Sequence, residues 1–157
     1  MKSIKFVTAC YIMSFVGSHT PRMMATTTIA KWVKTNPSRV RQIVAELVKA
    51  GLLESTRGGG GGVMLARSAE NISLLDIYQA VGDEELPLFA IEDPFSEWAD
   101  HCQVHDVLTD LRSRIDHNAR ASLASIKLSS VFVPWDEAEM AAAQKAAKRS
   151  KRKVVAV

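Results

Sequence analysis

The stretch NPSRVRQIVAELVKAGLLESTRGGGGGVMLAR, residues 36–67, has the pattern of a helix followed by two short strands around a glycine-rich turn. Asn36 can cap a helix because its side chain can accept a hydrogen bond from a free backbone N–H, and Pro37 follows where its missing N–H costs nothing. Gly51 suits the left-handed residue that often ends a helix. Between them, apolar residues recur at the spacing of one helical face, and these are Val40, Ile43, Val44, Leu47 and Val48.

Two short strands are predicted after this helix. Residues 52–55 and 63–66 each have the length of a hairpin strand, and glycine dominates residues 56–62 between them. The stretch therefore predicts a β-hairpin that follows the helix directly in the sequence.

The helix face opposite the apolar one is polar, and the side chain in its middle is small. It carries Ser38, Gln42, Ala45 and Lys49, with Arg39, Arg41 and Glu46 on its flanks. Glutamine can bond adenine with two hydrogen bonds, arginine can bond guanine, and serine or lysine can hold phosphate. This pattern favours a helix that enters the major groove of DNA, whereas the alternative is an ordinary surface helix.

The hairpin is predicted to act as a wing. Arg57 leads into five successive glycines, which allow the backbone to come close to DNA. Helix, hairpin and local positive charge together favour DNA binding over a solvated helix with a flexible turn.

Residues 47–67, LVKAGLLESTRGGGGGVMLAR, and residues 72–81, ISLLDIYQAV, resemble the signature of the Rrf-two (BadM-type) winged helix-turn-helix transcription regulators. The resemblance extends from about residue 4 to about residue 131. It implies a mainly α fold with a small β-hairpin wing and a long dimerisation helix. It also implies a homodimeric regulator, a repressor in our interpretation, that binds double-stranded DNA at a palindromic operator.

Charge is distributed unevenly along the 157 residues, although the net charge is only +3. Residues 1–67 hold ten Lys or Arg against two Asp or Glu, residues 68–143 hold four against fifteen, and residues 144–157 hold six against none. We therefore expect the basic N-terminal module to meet nucleic acid. Two distant cysteines indicate a cytoplasmic protein, and the lack of a long apolar run predicts no membrane span.

The segment before the central stretch predicts two helices. Residues 4–16 carry two apolar stripes, so both sides of that helix should be covered, one of them by a partner subunit. Residues 17–22 are predicted to form a loop. Thr26, Thr27 and Thr28 are expected to cap a short second helix, which completes a helix-turn-helix, and to bind phosphate.

The C-terminal half predicts a long helix that begins near His101. Its apolar residues recur at alternating threes and fours, and such a seam needs a partner. The resemblance implies that this helix makes the homodimer, through Val104, Val107, Leu108, Leu111, Ile115 and Ala119. A further short helix over residues 123–131 is also expected, and residues 135–150 have the composition of a helix before a basic tail.

These interpretations divide the chain into four parts. They are a winged helix-turn-helix domain (1–82), an acidic linker (83–100), a dimerisation region (101–131) and a C-terminal helix with a basic tail (132–157). The predicted DNA-binding residues are Thr26, Thr27, Thr28, Ser38, Arg39, Arg41, Gln42, Lys49, Arg57, Gly59 and Gly60.

A sensor is the open question at this stage. Many members of the family carry three cysteines around the start of the dimer helix, which ligate an iron–sulfur cluster, but residues 82–107 hold only Cys102. We therefore expect no cofactor, because one thiolate is too few for a cluster. A divalent metal on His101 and His105, oxidation of Cys102 or Cys10, and a small-molecule effector are the other possibilities.

Two other classes of function compete with a DNA-binding regulator. An enzyme is disfavoured because the five glycines lie inside a hairpin and no Gly-Lys-Ser/Thr follows them, and because no catalytic triad has its local motif. A winged helix that serves only as a protein-interaction module is the alternative, as is a redox sensor with unusual ligands. Salt-dependent affinity for DNA separates the regulator from the interaction module.

Overall fold

The computed structural model describes residues 2–82 and 103–132, and the predicted acidic linker, C-terminal helix and basic tail lie outside these residues. The predicted mainly α architecture with one hairpin is confirmed. In chain order its elements are α1 (Lys2–His19), α2 (Thr26–Val33), α3 (Pro37–Lys49), β1 (Leu53–Thr56), β2 (Gly62–Leu65), α4 (Leu74–Val81) and α5 (Gln103–Ser125), with 3₁₀ helices at Ala69–Asn71 and Leu128–Val131.

Helix α3 begins and ends as its sequence predicts. The Asn36 side chain accepts a hydrogen bond of 2.8 Å from Ser38 N, and Pro37 is the first helical residue. Gly51 follows the helix with φ at +70°, in the left-handed region. The apolar face is buried at Val40, Ile43, Val44 and Leu47, while Val48 is half-buried.

The hairpin is antiparallel and pairs Leu53 with Leu65 at its base, so each strand is shifted by one residue from its predicted bounds. A third segment joins it, because Met24 and Val63 exchange two backbone hydrogen bonds of 2.9 Å. Gly62 permits this approach: a Cβ there would lie 2.7 Å from the Met24 backbone. The wing is therefore fixed to the segment that precedes α2.

The end of α5 returns to the same core as the winged helix. Leu128 is fully buried, its backbone N donates to Ile72 O over 2.8 Å, and Leu74 N donates to Ile126 O over 2.9 Å. On α1, the Ser14 hydroxyl donates to Val131 O over 3.1 Å. These contacts attach the C-terminal end of α5 to α1 and α4.

Helix α4 starts with a reciprocal capping box. Ser73 Oγ accepts a hydrogen bond from Asp76 N, and the Asp76 carboxylate accepts one of 2.7 Å from Ser73 N. Partial burial raises the pKa of Asp76, but the hydrogen bonds from Ser73 and the nearby cations Arg67 and Lys127 together outweigh it and lower that pKa.

Three local predictions were wrong. Helix α1 does not end near residue 16 but continues to His19, because Ser18 Oγ and His19 Nδ1 both reach the Phe15 carbonyl, at 2.9 and 2.7 Å, and so satisfy the last turn. The threonines do not cap α2. Ala25 is its N-cap, without a side-chain bond, and Thr26 is its first residue.

The third correction concerns the end of the long helix. Residues 123–131 do not form one further helix, because α5 continues to Ser125 and a 3₁₀ helix, Leu128–Val131, follows it. At the break between the two helices, Ile126 O accepts a hydrogen bond from Leu74 N, and Leu128 N donates one to Ile72 O. In a continuous helix these backbone groups would bond within the helix instead.

Candidate nucleic-acid interface

The polar face of α3 is open to solvent along its whole length. Six of its seven predicted members are exposed, while Glu46 on its flank is half-buried; the six are Ser38, Arg39, Arg41, Gln42, Ala45 and Lys49. The four buried apolar residues hold the opposite face against the core, so the fold itself turns this polar face outward. Exposed arginine and glutamine side chains on a helix of 13 residues form a surface that fits a major groove.

The wing exposes backbone as well as charge at its tip. Arg57, Gly59 and Gly60 are exposed, and Gly58 and Gly60 have φ values of +106° and +84°, which favour glycine. A Cβ on Gly61 would lie 2.3 Å from Thr56 O. The turn therefore depends on glycine, and it leaves a bare backbone beside an exposed guanidinium.

The start of α2 offers free donors beside hydroxyl groups. Thr27 is exposed, while Thr26 and Thr28 are half-buried, and Ala25 leaves the first turn without a side-chain cap. Uncapped N–H groups at a helix start favour anions such as phosphate. Helix α2 packs on α3, so the three threonines belong to the same helix-turn-helix as the polar face.

One ion pair beside this interface is absent from the sequence-based prediction. Lys5 Nζ lies 2.9 Å from Oε1 and 2.8 Å from Oε2 of Glu46, which joins α1 to α3. The two residues are 41 positions apart, and no periodicity or motif links them. The only sequence signal for this ion pair is that Glu46 is the single acidic residue of α3, within a basic segment.

The predicted dimer seam is exposed at its N-terminal end. Val104 is 62% exposed and Val107 64%, while Leu108 and Leu111 are 37% and 42% exposed. Ile115 and Ala119, further along, are half-buried. A second apolar row is exposed on α1, at Ile4, Val7 and Tyr11. Within the described residues, neither row is covered by the chain itself. The prediction that a partner subunit covers one side of α1 stays a prediction.

The predicted sensor residues are only partly described. Cys102 and His101 lie outside the described residues, and so does the side chain of His105. Cys10 is half-buried on α1, and burial raises the pKa of its thiol to about 11. At neutral pH it is therefore a thiol rather than the thiolate that oxidation or metal binding needs.

A family model described as "Rrf2: Iron-dependent Transcriptional regulator" matches residues 3–133. The chain belongs to the Rrf2 family. It is therefore a DNA-binding regulator of transcription and not an enzyme. Among the described residues, no helix is long and apolar enough to cross a membrane.

Similar proteins agree with this assignment. YwnA of Bacillus subtilis, named as an HTH-type transcriptional regulator, is 30% identical over 133 residues, which are 84% of this chain and 97% of that one. BadM of Rhodopseudomonas palustris, named in the same way, is 28% identical over 78% of this chain and 74% of its own.

Solved structures share the fold. Staphylococcus aureus CymR in its oxidized form has a TM-score of 0.63 at 24% identity, over 85% of this chain and 98% of its own. T. potens IscR has a TM-score of 0.60 at 23% identity, over 88% of each chain. The winged helix fold predicted from the sequence is thereby confirmed.

The iron in the family description does not fit the residues of this chain that are described. Among residues 2–82 and 103–132, no three His, Cys, Asp or Glu side chains are grouped so that they could hold a metal ion. Burial raises the pKa of the half-buried Cys10 thiol to about 11, and Cys102 is the only cysteine in residues 82–107.

Proposed function

We propose that this Rrf2-family protein is a dimeric, sequence-specific repressor whose two recognition helices bind an imperfect palindromic operator. The observation that carries the proposal is the solvent-exposed polar face of α3, held outward by an apolar face on which Val40, Ile43, Val44 and Leu47 are buried. Gln42 reads adenine through its amide, Arg39 and Arg41 read guanine, and Ser38 and Lys49 hold phosphates.

The wing and the start of α2 anchor the complex without reading sequence. Arg57 contacts phosphate beside the exposed Gly59 and Gly60 backbone. The uncapped first turn of α2, with Thr26, Thr27 and Thr28, holds a second phosphate. These contacts set the register of α3 in the groove.

Two copies assemble through the exposed apolar rows. The exposure of the α5 row from Val104 to Leu111 supports its place in the dimer interface, because no other described residues of the chain cover it. A two-fold dimer presents two α3 helices to successive major grooves, about 34 Å apart. In this arrangement residues 1–82 bind DNA, residues 101–131 join the copies, and the protein acts in the cytoplasm.

Selection of bound DNA from a random pool tests this function. The expected product is a palindrome with half-site centres about 10 base pairs apart, whose affinity falls steeply with salt. Binding without sequence preference would contradict specific recognition. Undetectable binding at low salt would instead favour the protein-interaction module.

Its signal is proposed to be something other than an iron–sulfur cluster, namely a small molecule, a thiol modification or a partner protein. Anaerobically purified protein should be colourless, and Cys102→Ser should leave DNA affinity unchanged under reducing conditions. A brown protein with stoichiometric iron and sulfide, bleached by Cys102→Ser, would contradict this part and indicate a cluster with unusual ligands.

A further inference from the structure

The pair between Lys5 and Glu46 has a geometry that goes beyond a chance surface contact. The ammonium donates a hydrogen bond of 2.9 Å to Glu46 Oε1 and lies 2.8 Å from Oε2, an atom that is shielded from solvent and accepts no hydrogen bond. The two side chains are otherwise 37% and 35% exposed. A partly exposed pair adds little to the stability of a fold, so a role in holding the fold together does not account for it.

Glu46 lies at a sensitive place on α3. It is the only acidic residue of this helix, and it follows Gln42 by one turn and Arg39 by two turns on the same flank of the polar face. Both of those side chains are exposed. Glu46 is therefore the acidic group closest along the helix to the residues that we propose to read bases.

An unpaired carboxylate at this position would disturb DNA recognition in two ways. It would repel the phosphates on either side of the groove, because like charges brought together on binding are costly. It would also attract the Gln42 amide, since residues four apart on a helix face meet and hydrogen-bond. That second contact would compete with adenine for the same donor.

We propose that Lys5 is a positioning residue for DNA recognition, which acts by holding Glu46. The ammonium neutralises the carboxylate and keeps it directed towards α1, so that Gln42 is left free and the groove-facing side of α3 carries no net negative charge. This inference rests on the proposed DNA-binding face. It adds a residue of α1, outside the helix-turn-helix, to the determinants of specificity.

A double-mutant cycle on DNA affinity tests the inference. Lys5→Met, Glu46→Gln and their combination keep side-chain size while removing each charge. We expect Lys5→Met alone to weaken operator binding about tenfold and to lower the preference for the operator over scrambled DNA. In the Glu46→Gln background the same Lys5→Met change should weaken binding less than about threefold, with preference retained.

Simple loss of positive charge predicts a different result. Lys5→Met would then weaken binding by the same factor in both backgrounds and for both DNA sequences, and this result would overturn the inference. Lys5→Arg, which keeps the pair, should bind the operator as the unchanged protein does. Because Lys5→Met leaves the solvent-shielded Glu46 Oε2 without its cation, its melting temperature should fall, so binding is compared at a temperature at which every variant is folded. A loss of binding that follows loss of folded protein would also overturn the inference.

A matched control is available on α5. Arg114 and Asp110 form an ion pair of 3.8 Å that is largely exposed and remote in sequence from α3. Arg114→Met and Asp110→Asn repeat the charge changes, and their effects on DNA affinity should be small and additive. Coupling in this control as large as that between Lys5 and Glu46 would show that the cycle reports a general charge effect, and would overturn the inference.

Gln42→Ala separates the two proposals. If this variant loses base preference while the Lys5 and Glu46 effects are additive, the inference about Lys5 fails and the DNA-binding face stands. If Gln42→Ala keeps full base preference, the proposed face is wrong and the role of Lys5 falls with it.

Discussion

Helices α3 and α5 both expose side chains to solvent, but the exposed residues differ in chemistry. On α3 the apolar residues are buried, with Val40 and Leu47 at 0% exposure, and the outer face is polar. On α5 the apolar residues themselves are outside, and Val107 is 64% exposed. Helix α3 thus buries its apolar face within one chain, whereas α5 leaves an exposed apolar row that, in our proposal, a second copy covers.

The two ends of α5 also differ in how far their apolar residues are buried. Its N-terminal part exposes Val104 and Val107, while the segment just after its C-terminus places Leu128 in the core. In the proposed dimer, a seam attached at one end to the winged helix would fix the spacing between the two recognition helices.

Disrupting the exposed seam should have the largest effect. Val107→Asp combined with Leu111→Asp places charges where the partner should pack, and each buried apolar side chain contributes about 1.5–3 kcal/mol. Four such side chains per dimer predict a dimer dissociation constant raised at least about a thousandfold, measured by sedimentation. Thr109→Asp with Ser113→Asp adds the same charge at exposed positions opposite the seam and should leave the dimer intact. An unaltered dimer in the Val107 and Leu111 variant would remove the seam from the account.

Shortening a buried side chain just after the C-terminus of α5 should have the next largest effect. Leu128→Ala removes a fully buried side chain and should lower the free energy of unfolding by about 2–5 kcal/mol. Val104→Ala, at a residue 62% exposed, should cost within about 0.5 kcal/mol when both are measured by urea unfolding of the monomeric seam variant. Equal losses at the two positions would contradict the distinction between the two ends of α5.

Removal of the wing cation should have a moderate and uniform effect. Arg57→Ala is expected to weaken binding to all DNA sequences alike and to reduce the slope of log affinity against log salt by about 1, because one phosphate contact is lost. Titrations of operator and scrambled DNA at several salt concentrations measure both quantities. A change in base preference at constant slope would instead place Arg57 among the base-reading residues.

The smallest effect is expected at the capping box of α4. Asp76→Asn should lower the free energy of unfolding at pH 7 by about 1 kcal/mol, because the charged acceptor for Ser73 is lost. The pKa of Asp76 is lowered in the folded protein, so its contribution is present above the unfolded-state pKa of about 3.9 and is lost as the pH falls through the lower folded-state value. The free energies of unfolding of Asp76→Asn and of the unchanged protein, both measured with urea, should converge over that acidic pH range. A gap that widens on acidification would contradict the cap.

The elements that the sequence predicts best are those with local causes. The cap at Asn36, the left-handed Gly51 and the apolar spacing of α3 all lie within a few residues of the features they specify. The polar face followed from the same periodicity. The length of α1 was missed because side-chain bonds to the Phe15 carbonyl extend it, and these have no periodic signature.

Contacts between distant segments were beyond sequence reasoning. The pairing of Met24 with Val63, the return of Leu128 to the core and the bond between Lys5 and Glu46 join residues tens of positions apart. Each depends on how whole helices pack, and a single sequence carries no record of that. The part of the site that depends on tertiary packing was therefore found only in the folded chain.

Binding of Gln42→Ala to every single-base variant of the selected operator shows whether the polar face of α3 reads bases. If the polar face of α3 reads bases, the variant should lose about 1–3 kcal/mol at the best site and lose discrimination at one position in each half-site, with the other positions unchanged. If Gln42→Ala keeps both the affinity and the full pattern of base preference, α3 does not read the operator through this face.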